Sequence, residues 1–316
     1  MSTTATTETA AGSSLRQSRR RPLEAVIKVG LIAAALVAVV TTALIFVSFL
    51  QPTWEFFQLV SPQEFLTGVD WAPTFKPASY GVLPLVTATL LISAIALIVA
   101  MPLGLASALY LSEYAYGRVR QTIKPILEIL AGIPTVVFGF FALEFITPSL
   151  RWVLSPLFDG ELPEIFNALA AGLVMGIMIV PTIASLSEDA MAAVPNALRN
   201  GAYALGSTKR QVSTKVVIPA ALSGIVAAFV LGISRAVGET MIVAIAAGNR
   251  PNLSWNPLEG MQTMTGFIAQ IAQGDASTGS IAYDTIFAVG LLLFLATFAM
   301  NIFSIRLVRR YREVYE

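Results

Sequence analysis

The chain has 316 residues, 56% hydrophobic and 12% charged, with a formal net charge of +1. Soluble globular domains carry roughly a quarter charged residues and their helices need a polar face, so long segments without one exclude a soluble protein. With no cysteine and no histidine, disulfide scaffolds, thiolate nucleophiles and the commonest general base are excluded too, and no enzyme centre is expected.

Residues 1–25 open on Ser, Thr and Ala and close on Arg16, Arg19, Arg20 and Arg21, a composition that predicts a disordered tail. The apolar run after them is too long for a signal-peptide core and lacks a small-residue cleavage site, so an uncleaved first helix is expected. Crossing about 30 Å of hydrocarbon takes roughly 20 apolar residues. Six stretches satisfy this: 26–50, 82–111, 125–146, 165–186, 220–247 and 281–305. The third is interrupted by Gly132, Pro134 and Gly139 and holds Glu128 and Glu144. These acids fall about 160° apart around a helix and are expected near the two membrane boundaries. Gly172 and Gly176 in the fourth stretch make a small-residue face suited to close packing.

Basic residues flanking spans stay cytoplasmic. Six spans put the N-terminal arginines with Lys28, then Arg118, Arg120 and Lys124, then Arg199, Lys209, Arg210 and Lys215, then Arg306, Arg309, Arg310 and Arg312 on one side. Lys76, Arg151 and Arg250 fall on the other, and Arg235 inside the membrane. An all-α, six-span membrane protein with both termini cytoplasmic is expected. Topology accounts for the arginines, so nucleic-acid binding is not.

The outer loop 51–81 carries Trp54, Phe56, Phe57, Phe65, Trp71, Phe75 and Tyr80, read either as a cap at headgroup level or as a docking surface. In the outer loop 248–280, the apolar patch 264–271 predicts a short re-entrant or surface helix. The inner loop 187–219 holds Ala193, Val194, Ala197, Leu198, Ala202 and Leu205 at helical spacing. Pro195 suits the start of that helix and Gly206 its stop, while Pro219 is expected to open the fifth span. The helix either lies on the membrane surface or offers an apolar knob to a partner's groove. An uncompensated arginine at mid-membrane costs about 2.5–3.5 kcal/mol. Arg235 and Glu239, four apart, share a helix face and are expected to pair, as packing glue or as part of a solute path.

Asn200-Gly201-Ala202, then Gly206, then Val216-Val217-Ile218-Pro219 resemble the coupling motif of ATP-binding-cassette importer permeases. That motif runs Glu-Ala-Ala, three residues, Gly, nine residues, Ile-x-Leu-Pro, and the spacing matches. Asn200 stands in place of its glutamate and Gly201 in place of its first alanine. Segments 80–115, 127–143, 178–208 and 231–249 further resemble, in order, PstC-type permeases of the phosphate-specific importer. The segment LGISRAVGETMIVAIAAGN is the most specific, with Ser234 where the family has glycine, and SEYA and AGIPTVVFG favour the PstC over the PstA type.

The resemblance implies a type I importer permease (MetI-like) fold: a tail over 1–25, a first helix and outer loop over 26–79, a permease core over 80–307 and a tail over 308–316. It implies a cell-membrane permease for inorganic phosphate, with Arg235 as the anion contact, Glu239 as its counter-ion or gate partner, and Ser234, Thr240 and Asn249 along the path. Asn200, Gly201, Ala202, Gly206 and Pro219 would mark a coupling helix at about 196–206. The implied partners are a PstA-like permease, a PstB-like ATPase dimer and an external PstS-like phosphate-binding protein. The chain has no Walker-type loop, so ATP and Mg are used by the ATPase and no cofactor is expected here. The alternatives are the PstA-like seat, another oxyanion such as sulfate or molybdate, a structural subunit, or a secondary transporter working alone, which predicts repeated discontinuous helices.

Overall fold

The computed structural model describes residues 22–156 and 163–310. Arg16, Arg19, Arg20, Arg21 and Arg312, with most of both expected tails, lie outside the described residues. The chain divides into two compact units, Met1–Ser48 and Phe49–Glu316. Helix α1 runs Pro22–Leu59, so Pro22 to Ala25, assigned above to the tail, already belong to it. Its 38 residues make a rod of about 57 Å at 1.5 Å per residue, longer than the hydrocarbon layer. Side chains such as Val29, Leu36 and Leu44 stay exposed along it.

In the second unit, α2 (Pro62–Thr67), strands β1 (Trp71–Ala72) and β2 (Ser79–Tyr80), and α3 (Leu83–Leu109) come next. The strands pair antiparallel, Trp71 against Tyr80 and Ala72 against Ser79. Then come α4 (Gly117–Ala131), α5 (Thr135–Phe141), α6 (Thr147–Leu154), α7 (Ala168–Ala192) and α8 (Asn196–Ala204). Helices α9 (Lys209–Val212), α10 (Ile218–Ala220), α11 (Leu222–Gly238), α12 (Met264–Gln270) and α13 (Ile281–Arg310) complete the order.

Among the described residues, five helical segments are long and apolar enough to span a membrane: Glu24–Leu59, Leu83–Tyr114, Thr135–Leu154, Ala168–Ala192 and Ile281–Arg306. A sixth exists if Lys209–Ala220 and Leu222–Gly238, bent by 70°, count as one. Three expectations shift. The third span begins at Thr135, after the Gly132-Ile133-Pro134 break, so Glu128 lies on the amphipathic α4 outside it. Glu144 sits in the wide turn Ala142–Ile146 at the middle of that span, exposed, rather than near a boundary. Pro219 lies in α10, before the bend, and so stands inside the bent pair rather than at the opening of the fifth span.

The core is the α3–α7 pair. Every fourth residue of α3 that faces α7 is small or β-branched: Ala88, Ile92, Ala96 and Ala100 are all buried, the i, i+4 stripe of one face. The helices approach so closely that a Cβ on Gly172 would sit 2.7 Å from Ile95, and one on Gly176 would sit 2.8 Å from the Ala96 carbonyl oxygen. The small-residue face is thus used within the chain. At one end, Phe56, Phe65 and Trp71 form an edge-to-face aromatic cluster with Phe267 of α12. Of the seven rings expected in the outer loop, Trp54, Phe56 and Phe57 belong to the end of α1; Phe56, Phe65 and Trp71 are buried, Phe57 and Tyr80 half-buried, and Trp54 and Phe75 69% and 71% exposed. At the basic end, Met191, Val194, Val212, Val217 and Ile225 form a third cluster under α8.

Candidate functional site

The polar residues of the fifth span do not sit on one helix. Helix α11 ends at Gly238, and Glu239 is extended (φ −67, ψ 132). The chain turns helical again through Met241–Ala247. An i, i+4 pair needs an unbroken turn between its members, so the expected Arg235–Glu239 ion pair does not form. Instead Glu239 caps the second segment: its Oε1 accepts from the Met241 and Ile242 N–H groups at 3.1 and 3.3 Å. A side-chain oxygen accepting from the second and third residues on is the N-cap pattern, and a carboxylate suits the positive end of a helix. The Glu239 carbonyl accepts from the Thr265 hydroxyl at 2.7 Å. Met264 N–H donates to Thr89 of α3 at 3.1 Å. Helix α12, the patch expected to be re-entrant or superficial, is therefore buried at Met264–Phe267 and seated against the break. Thr89, Ser93, Glu239, Thr263 and Thr265 line a crevice there too narrow to admit a water molecule.

Arg235 is half-buried, and among the described residues its hydrogen bond is from Nη1 to Thr182 Oγ1 of α7 at 3.0 Å. The rest of its planar donor fork is uncommitted. Ser234 points elsewhere, donating to Asn301 of α13 at 3.1 Å. Thr240 donates to the Gly238 carbonyl at 3.3 Å within the break. Asn249 is distant in role, lining an outer cleft with Trp71, Gln262 and Gln270. The structure thus places Glu239 and Thr240 in the interruption and Arg235 in the last turn of α11 before it, bonded to Thr182 of α7, while Ser234 turns to α13 and Asn249 to the outer cleft.

At the basic end, α8 forms where the apolar spacing predicts it. Gly206 adopts φ 81, and Ser207 N–H reaches back to the Ala202 carbonyl at 3.1 Å, the left-handed stop that glycine makes without steric cost. Asn200, Gly201 and Gly206 are exposed, and nothing lies within 4 Å of a Cβ placed on either glycine. Ala202 packs on the cluster beneath, whereas Leu205 is 89% exposed. The helix offers a free outer face on which Leu205 is the most exposed apolar side chain, with Leu198 and Tyr203 partly exposed beside it.

Three ionic residues whose partners spacing did not reveal organise this end. Glu188 of α7, 1% exposed, accepts from Lys124 at 2.7 Å and from Arg120, both on α4. Lys124 also meets Asp189 at 2.6 Å. Its ammonium is held above the ordinary 10.5 first by the Asp189 hydrogen bond and then by that of Glu188. Arg199 of α8 reaches Glu113, beyond α3, at 3.0 Å. Arg120, Lys124 and Arg199 read as topology signals alone; an acid in each neighbouring segment was the available clue to their partners.

A family profile described as "Binding-protein-dependent transport system inner membrane component" matches residues 100–313. The chain is 37% identical over 255 residues to the probable ABC transporter permease protein YqgH of Bacillus subtilis, covering 81% of this chain and 80% of that protein. It is 32% identical over 314 residues to the phosphate transport system permease protein PstC of Xylella fastidiosa, covering 94% and 93%. Among solved structures, the inward-facing MetNI methionine ABC transporter superposes with a TM-score of 0.53 at 21% identity, over 74% of this chain and 95% of that one. The fold is that of an all-α, multi-pass importer permease.

Proposed function

The chain belongs to the binding-protein-dependent transport system inner membrane component family, as one of its PstC-type permeases, and we propose that it forms half of the translocation pathway of an ATP-driven importer of inorganic phosphate. It is a non-catalytic membrane subunit, and ATP is hydrolysed by a partner. The observation that carries the reading is the interruption of the fifth span beside Arg235. There a half-buried guanidinium spends one donor on Thr182 and is not neutralised by Glu239. A planar fork matches a phosphate oxyanion, and a single such contact binds weakly enough to release its cargo, as a conduit requires. Glu239 belongs to the gate as the cap that holds the interruption, with Thr240 in the same turn and Ser234 bracing α11 against α13.

In this reading the basic loops and both termini face the cytoplasm. Residues 26–79 form the first transmembrane helix and outer loop, and 80–307 the core. The exposed face of α8, with Asn200, Gly201, Ala202 and the Gly206 stop, meets one subunit of a PstB-like ATPase dimer, and Pro219 ends the segment that carries this movement to the bend before Leu222. A PstA-like permease supplies the other half of the pathway, and a PstS-like protein delivers phosphate at the aromatic end. The test is ATP-dependent phosphate uptake by vesicles carrying the assembled importer, with native Arg235 or Arg235→Gln at matched assembly. Uptake is expected to be lost while the ATPase stays bound. Unchanged uptake would reduce Arg235 to packing, and no phosphate uptake by the native complex would point to another oxyanion.

A further inference from the structure

A lever moves only what it is fixed to, and α8 is held by little. None of its own residues is buried, and its apolar anchorage is Ala202 together with the preceding Val194. What fixes it is Arg199, in its first turn. The guanidinium donates to Glu113 from Nη2 at 3.0 Å and from Nε at 3.3 Å. It also donates to the Met191 carbonyl at 2.8 Å and to the Val194 carbonyl. Glu113 lies in the turn Tyr110–Tyr114 that continues α3, and Met191 in the last turn of α7. One side chain therefore joins α8 to the ends of both helices of the core pair. Both members are withdrawn from solvent, at 14% and 5% exposure, so breaking the pair strands a charge in a poor solvent. The Met191 carbonyl, which also accepts from Val194 N–H at 3.2 Å, stands at the negative end of α7, where a cation is favoured. Lysine has the charge but not the fork that serves a carboxylate and two carbonyls together.

We infer that Arg199 and Glu113 are positioning residues that make α8 and the α3–α7 pair one rigid body, so that movement of α8 by the ATPase becomes movement of the spans; this rests on the ATPase-coupling reading above. In the assembled importer, phosphate taken up per ATP hydrolysed is to be compared for the native chain, Arg199→Ala, Glu113→Gln, both together, and Arg199→Lys. In Arg199→Ala the ratio is expected to fall about tenfold or more, within the ordinary range of coupling between sites, with the ATPase bound and turning over. The double variant should be no worse than the worse single one, because the residues act as a unit, and lysine should restore part of the loss. Hydrogen exchange over 196–204, measured in the same complex, should quicken in Arg199→Ala. An unchanged ratio overturns the inference, as do native-like exchange, loss of ATPase binding, or uptake and hydrolysis falling in parallel. A native complex that hydrolyses ATP but takes up no phosphate sinks only the substrate reading, and the exchange measurement then decides the tether by itself.

Discussion

Replacing Glu239 distinguishes a helix cap from a counter-ion. Glu239 is 8% exposed, and its carboxylate holds two backbone N–H groups at 3.1 and 3.3 Å. Losing a side-chain cap costs about 1 kcal/mol, up to about 2, and losing an anion from a partly buried helix start adds up to about 2. Glu239→Ala is therefore expected to destabilise the chain by about 3 kcal/mol, and Glu239→Gln, which keeps an acceptor oxygen and loses the charge, by about 1–2 kcal/mol. The assay is a denaturation midpoint in mild detergent, run with Arg235→Gln and with each double variant. Because Arg235 bonds Thr182 and not Glu239, the two sites should couple by less than about 0.5 kcal/mol. Coupling above about 1 kcal/mol, or glutamine as damaging as alanine, would refute the cap and restore the ion pair.

Other outcomes follow from packing and charge. Gly172→Val places new carbons against Ile95, 2.7 Å from where a Cβ would stand; it should cost about 1–3 kcal/mol or more by overpacking, read as a lowered melting temperature in detergent. Removing Arg120 and Lys124 together leaves Glu188 buried and unpaired, and the double alanine variant should lose about 3–5 kcal/mol, whereas Asp189→Ala, at a 58% exposed partner, should lose no more than about 1 kcal/mol. Because the Lys124 pKa is raised in the folded state, its stabilisation is fully present below its ordinary 10.5 and disappears as pH climbs through the higher folded value. The stability gap between native protein and Lys124→Met should therefore stay constant through the neutral range and close only in strong alkali; a gap that closes below about pH 10 would contradict this.

Composition made the spans legible because a membrane helix must be apolar along its whole length, and that demand leaves a mark every 20 residues or so. Helix α8 was legible for a similar reason: its stripe, Pro195 and Gly206 all agree. The break at Glu239 was not. Arg-Ala-Val-Gly-Glu satisfies the i, i+4 rule as well as any helix, and only hydrogen bonds from Met241 and Ile242 and the seating of Thr265, 26 residues away in sequence, decide against it. Lys124 and Glu188 are 64 residues apart, so no local pattern pairs them. The third span was misplaced because α4 is amphipathic and joins it through a Gly-Ile-Pro turn that a hydropathy window averages over. The Glu144 carboxylate, expected at a boundary, sits mid-span for the same reason.

The seating of α12 sets an order in which the molecule gives way. Two bonds to hydroxyl groups, Thr265 to the Glu239 carbonyl and Met264 N–H to Thr89, fasten it to the break, each neutral and worth about 1 kcal/mol net. The α3–α7 contact beneath has no comparable weak link, since its closely packed faces yield only by opening voids. A protein docking at the aromatic end with even micromolar affinity commands about 8 kcal/mol, several times what those two hydroxyls resist. A pull on the Trp71–Phe267 contact therefore loads the threonine latch, together with the buried Met264 and Phe267 side chains beside it, before it reaches the α3–α7 frame.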